Sequence, residues 1–124
     1  MVADIVLVLD GSFSTKLEGF KIILSFLETV VQSVLGDIQY SAIQYSDRVM
    51  EHFPFAARTR EEVKLALEQI EYDGGFSTFT GEALRDGWSK LHDWSFGARS
   101  HTTKILLLVT DGRTKDDIEQ IRQE

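Results

Sequence analysis

The sequence predicts an α/β fold: a doubly wound, mostly parallel sheet of Rossmann-like form, with helices on both faces. Strand-like and helix-like patterns alternate along the chain, as they do where helices cover a parallel sheet. Two runs, residues 5–9 (IVLVL) and 104–110 (KILLLVT), are almost continuously apolar, the mark of strands covered on both sides. Each run ends at an aspartate followed by glycine, Asp10-Gly11 and Asp111-Gly112, so both strands stop at tight turns.

The elements follow in order. Residues 5–9 form the first strand. From about Thr15 the period changes, and Phe20, Ile23, Leu24, Leu27, Val31, Val34 and Leu35 make the stripe of a long amphipathic helix that Gly36 ends. In residues 38–45, Ile38, Tyr40 and Ala42 alternate with Gln39, Ser41 and Gln44, giving a second strand that turns at Ser46-Asp47. Residues 48–55 read as the return strand of a hairpin, with Pro54 suited to a sheet edge. Thr59 is placed to cap a helix bearing Val63, Ala66, Leu67 and Ile70, with Glu62 at the capping-box position. The loop Asp73-Gly74-Gly75-Phe76-Ser77 leads into a third helix lined by Leu84, Trp88 and Leu91. Residues 104–110 are the fourth strand, and residues 115–124 begin another helix. Right-handed crossovers set the first strand centrally, giving the order 3-2-1-4 with the hairpin strand antiparallel at the edge.

At 124 residues and 43% hydrophobic content, the chain reads as a single domain, residues 1–124, with a real core. A net charge of −7 argues against nucleic acid, which needs a basic surface, and suits a cation site. There is no cysteine, hence no disulfide framework, thiolate zinc site or Cys nucleophile. No apolar run nears the roughly 20 residues that cross a bilayer. Residues 2–9 lack a basic flank and contain Asp4, so they read as a buried strand and any export signal is expected outside this sequence.

The predicted order places Asp10 and Asp111 together where the chain reverses direction across the sheet, the place where such folds bind ligands. Asp10-Gly11-Ser12-Phe13-Ser14 carries oxygen-bearing side chains at alternate positions, which a turn can aim at one centre. Oxygen-only donors select a hard cation over zinc or copper. Ser77-Thr78-Phe79-Thr80 follows two glycines and can deliver a hydroxyl to the same centre. Taken alone, the first fragment is better explained by Ser12 or Ser14 capping the helix while Asp10 closes a turn. Asp111 and the glycine loop together reverse that preference.

DIVLVLDGSFS, GGFSTFTGEAL and KILLLVTDG resemble, in order and spacing, the von Willebrand factor type A domain, close to the inserted (I) domain of integrin α subunits. The resemblance covers essentially the whole chain. It implies a metal-ion-dependent adhesion site (MIDAS), with Asp10, Ser12 and Ser14 as the DxSxS residues. Thr78 matches the threonine of the second loop, ahead of Thr80 because it is the first of a TxT pair, and Asp111 matches the aspartate of the third. The hydroxyls are implied to bind directly and the aspartates often through water. Mg²⁺ or Mn²⁺ is implied ahead of Ca²⁺, with one position left for a Glu or Asp of a protein partner. That partner is a matrix protein or cell-surface receptor, and the setting is extracellular or at the cell surface. Family domains usually run longer, so the last two strands and C-terminal helices are expected to be missing here. The 104–110 strand is then an exposed edge through which chains could self-associate.

Two readings compete with metal-dependent adhesion. A Mg²⁺-dependent phosphoaspartyl enzyme usually needs a second acid at position 12, where Ser12 stands, and no GxxxxGK[ST] phosphate loop exists, so no enzyme is expected. The alternative is a structural scaffold module that works without metal. His52, His92 and His101 are too scattered to ligate a metal. Trp88 is expected in the core, and Phe79 is expected to point inward. Phe13 and Phe76 are expected to pack the loops down, with an exposed rim as the other reading.

Overall fold

The computed structural model describes residues 1–110; Asp111 and the helix expected over residues 115–124 lie outside the described residues. In chain order the elements are β1 (Val2–Asp10), a 3-10 turn (Phe13–Thr15), α1 (Lys16–Ser33), β2 (Asp37–Tyr45) and β3 (Val49–Phe53). Then come α2 (Arg60–Glu68), α3 (Thr80–Lys90), a second 3-10 turn (Trp94–Phe96) and β4 (Thr103–Val109). The sheet order is β3-β2-β1-β4, as expected. β1 runs parallel to β2 and β4, and β3 is antiparallel at the edge. The register sets Asp10 beside Tyr45 and Leu9 beside Val109, so the carboxyl ends of the three parallel strands lie at one end of the sheet.

The two-residue period of β1 divides the core. Ala3, Ile5, Leu7 and Leu9 face α1 and α2, where Phe20, Ile23, Leu27, Val31, Val63 and Leu67 cover them. Val6 and Val8 face the other way, against Ala83, Leu91 and Phe96. The α1 stripe follows the expected spacing, but the helix ends at Ser33 and leaves Leu35 in solvent. The capping box at α2 forms as expected: Glu62 N donates to Thr59 Oγ1 at 3.1 Å, and Thr59 N donates to Glu62 Oε1 at 2.8 Å. β4 is only half-buried, and β1 is its one strand neighbour among the described residues.

Two expectations need correction. Gln44 lies opposite Leu9 and so shares the face of Tyr40 and Ala42, where it is wholly buried. The strict two-residue period places it there despite its polarity. α3 turns Ala83, Gly87 and Leu91 to the sheet, while Trp88 is 54% exposed and meets the His92 ring edge-on. Close approach decides that face: a Cβ on Gly87 would sit 3.1 Å from Leu106 Cδ1 and 3.3 Å from Val8 Cγ2. Arg58 donates to Pro54 O at 2.7 Å and lies over the Phe53 ring.

At the far end of the sheet, Asp4 is fully buried among cations. Arg99 Nε and Lys104 Nζ each lie 2.9 Å from its carboxylate, and Arg99 N donates to it at 2.8 Å. Arg99 also donates to Asp37 and to Ala3 O. Burial works against ionisation of Asp4, but the bonds from Lys104 and Arg99 outweigh it and hold the carboxyl below the usual range. This cluster ties the chain before β4 to the start of β1.

Candidate metal centre

Asp10 is the last residue of β1, and it is closed to solvent. One carboxylate oxygen accepts from Ser12 N at 3.0 Å; the other accepts from Thr110 Oγ1 at 2.6 Å. No ion pair reaches it among the described residues. The chain leaves β1 through Gly11, enters a 3-10 turn, and brings Ser12 Oγ to 3.1 Å from Ser14 Oγ. Thr15 Oγ1 stands 3.5 Å from Ser12 Oγ. Neither the Phe13–Thr15 turn nor α1 has a side-chain cap hydrogen bond at its N-terminus, so the serines are not acting as helix caps.

The glycine loop lies directly against this turn. Phe13 N donates to Gly75 O at 2.7 Å, Gly74 N donates to Gly11 O at 2.8 Å, and Ser12 pairs with Gly75 as in a parallel ladder. Both glycines at the contact are needed for closeness. A Cβ on Gly75 would fall 2.3 Å from Ser46 Oγ, and one on Gly11 would fall 1.9 Å from Gln44 Oε1. Thr78, three residues beyond Gly75, is buried at 6% exposure. Thr80 Oγ1 donates to Tyr45 Oη at 3.2 Å, at the start of α3. Asp111 lies outside the described residues, but its neighbour Thr110 already touches Asp10. Asp10, Ser12 and Ser14 thus share one turn, Thr78 sits in the loop pressed against it, and the third segment reaches the same carboxylate. Among the described residues no three histidine or carboxylate side chains cluster as metal ligands; the oxygen-bearing side chains gathered at this turn are Asp10, Ser12, Ser14 and Thr15.

Residues not singled out in the sequence hold the loops. Tyr72 Oη donates to Ser12 O at 2.6 Å, and its ring packs on Phe20. Burial raises this hydroxyl above the ordinary tyrosine range, and the Asp10 and Asp73 charges add to that, so it stays a donor at neutral pH. Gln44 Oε1 accepts from Asp73 N at 2.8 Å while its Nε2 donates to Glu71 O at 2.9 Å. Those two bonds fix the amide, so His52 Nε2, 2.9 Å away, must accept from Gln44 Nε2. Burial lowers the His52 pKa, in keeping with that neutral role. Ser46 Oγ donates to Asp73 at 2.6 Å, and Phe79 N donates to Ser46 O at 3.0 Å. Lys16, where the turn meets α1, carries φ 63, a strained angle for a residue with a Cβ. Nothing in the spacing of these residues marked them, because their roles depend on contacts between segments far apart in sequence.

Tyr72→Phe tests this scaffold. The change removes one hydrogen bond and keeps the ring, so a loss of about 1 kcal/mol is expected in urea denaturation. An unchanged midpoint would show that Tyr72 does not secure the turn.

The profile of the von Willebrand factor type A domain matches residues 4–124. The chain belongs to that family. Among type A relatives, mouse (Mus musculus) collagen alpha-1(XX) chain is 35% identical over 120 residues, covering 94% of this chain and 9% of the relative. Human (Homo sapiens) integrin alpha-X is 33% identical over 116 residues, covering 92% of this chain and 10% of the relative. Chicken (Gallus gallus) matrilin-1 is 33% identical over 124 residues, covering 93% and 24%. This type A chain therefore spans a quarter or less of each of these relatives. Proximal thread matrix protein 1 of the mussel byssus has the same fold, with a TM-score of 0.86 at 23% identity over 94% of this chain and 32% of its own. A second structure of that mussel protein, with a zinc-occupied MIDAS motif, has a TM-score of 0.83 at 24% identity, over 94% of this chain and 33% of its own.

Proposed function

We propose that this type A domain, a single unit over residues 1–124, binds one divalent cation and uses it to hold an acidic side chain of a protein partner. Asp10 carries the proposal: its carboxylate is fully buried, and no basic side chain pairs with it among the described residues. A buried charge is costly without an opposite charge close by, and a cation in front of Asp10 supplies one. Both carboxylate oxygens already accept protein hydrogen bonds, which suits Asp10 to act through water. Ser12, Ser14 and Thr78 are then the direct ligands, with Asp111 as the second supporting carboxylate.

The donor set fits a hard ion. Oxygen-only donors suit a hard cation, Mg²⁺, Mn²⁺ or Ca²⁺, over zinc or copper. Ser12 Oγ and Ser14 Oγ, 3.1 Å apart, are close enough to share one such ion, and the resemblance to the family's site puts Mg²⁺ or Mn²⁺ ahead of Ca²⁺. That Thr80 donates to Tyr45 supports Thr78 as the ligand from the second loop. When bound, such an ion supplies an electrophilic centre that neutral hydroxyls leave under-neutralised, open to a partner carboxylate. The chain contributes ligand positions and a fixed loop scaffold, which supports adhesion as the function. The names of the relatives, an integrin, a matrilin and a collagen chain, support a place outside the cell or at its surface.

Two of those names belong to matrix proteins, which favours metal-independent scaffolding as the second reading. Calorimetric titration with Mg²⁺, Mn²⁺, Ca²⁺ and Zn²⁺ tests the proposal, zinc being included because the mussel protein's motif held it. One saturable site is expected, with Mg²⁺ and Mn²⁺ preferred to Ca²⁺. Thr78→Ala is expected to weaken capture of matrix proteins more than it weakens the ion. Capture on immobilised collagen that ignores EDTA, with no saturable ion binding, would leave only the scaffold.

A further inference from the structure

Between the hydroxyl-bearing residues stand two large apolar side chains with no polar task. Phe13 lies between Ser12 and Ser14 and is 61% exposed; Phe76, next to Gly75, is 84% exposed. They come from different loops, yet their ring centroids are 6.0 Å apart. The sequence favoured packing of these rings into the loops, and their exposure corrects that expectation. Their backbones are held by the Phe13 N–Gly75 O bond and the Ser12–Gly75 pairing, so the rings are presented by a fixed support. Single exposed aromatics are ordinary, but a juxtaposed pair beside a concave polar site marks a contact surface.

We infer that Phe13 and Phe76 form an apolar shelf that selects which acidic segments the centre accepts: an isolated Glu or Asp with an apolar side chain beside it. This rests on the cation reading above and deepens it. Charge narrows the partner. The chain carries a net charge of −7, and the cleft beyond Phe76 is lined by Asp47 and Asp73 with Arg48. A run of acidic residues would be repelled there, while one carboxylate held at the centre tolerates neutral neighbours. Phe13 stands in the chain between Ser12 and Ser14, and an aromatic face gains from apolar contact while its positive edge favours a carboxylate. A lipid surface is the poorer occupant, because the same acidic groups oppose anionic headgroups.

The test uses displayed peptides with a fixed central Glu and randomised neighbours, selected on the whole chain in Mn²⁺ and in EDTA. The unmodified chain is compared with Phe13→Ser/Phe76→Ser, and Mn²⁺ affinity is titrated for both. In Mn²⁺ the unmodified chain is expected to enrich Leu, Ile, Met or Phe next to the Glu and to deplete further acids. The double variant is expected to bind Mn²⁺ equally, lose that enrichment, and hold the selected peptides about tenfold more weakly, as the loss of partial burial of two rings implies. Absence of apolar enrichment, or its persistence in the double variant, overturns the shelf. So does flotation with phosphatidylcholine/phosphatidylserine vesicles that depends on the two rings. Apolar selection that persists in EDTA, with no Mn²⁺ bound, keeps the shelf and overturns the cation reading instead.

Discussion

Asp10→Ala is expected to weaken Mn²⁺ binding about 100-fold, the upper range for groups that orient metal ligands from behind. The size follows from its position. Asp10 is the buried carboxylate behind the serines, and it receives both Ser12 N and Thr110 Oγ1. Without it the turn loses the charge that balances a cation and the bonds that aim Ser12. Asp10→Asn keeps the shape and removes the charge, so it separates the two contributions. A comparable loss in the asparagine variant assigns the effect to charge, and circular dichroism checks that both variants fold. Retention of wild-type affinity by Asp10→Ala would contradict the assignment.

The largest stability effect is expected at the opposite end of the sheet. Asp4→Ala leaves Arg99 and Lys104, at 26% and 15% side-chain exposure, without the carboxylate they share. Removing one member of a buried ionic cluster typically costs 3–5 kcal/mol; about 3 kcal/mol is expected here because Arg99 keeps Asp37. The effect also has a pH signature. Because the Asp4 pKa is lowered in the folded chain, its stabilisation is complete above the ordinary carboxylate pKa of 3.8 and is lost as pH falls through the lower folded value. Urea denaturation of both proteins should therefore show a large difference at neutral pH that shrinks under acid conditions. A difference that stays constant across that range would assign the effect to packing alone.

Asp4 also shows where sequence reasoning stops. The strand order was legible because two apolar runs, a hairpin and right-handed crossovers leave few arrangements. The DGSFS turn and its meeting with the glycine loop were legible because both lie where the chain reverses across the sheet. Partners 60 to 100 residues apart were not: the Asp4–Arg99–Lys104 cluster and the Tyr72 bond to Ser12 leave no periodic trace. The α3 face was misjudged because size suggested Trp88, whereas the helix approaches the sheet through Gly87. Gln44 was misplaced because its polarity suggested the wrong face of β2, though counting by twos from Tyr40 and Ala42 places it correctly. Phe13 and Phe76 were expected to be covered on the general tendency of large apolar residues, yet both stand exposed with their rings against each other.

The most direct measurement is anomalous scattering from a crystal grown or soaked in Mn²⁺. One strong peak is expected within bonding distance of Ser12 Oγ, Ser14 Oγ and Thr78 Oγ1, in front of Asp10. Manganese bound only elsewhere, or a well-ordered turn with no peak at saturating Mn²⁺, would contradict a shared cation at these loops.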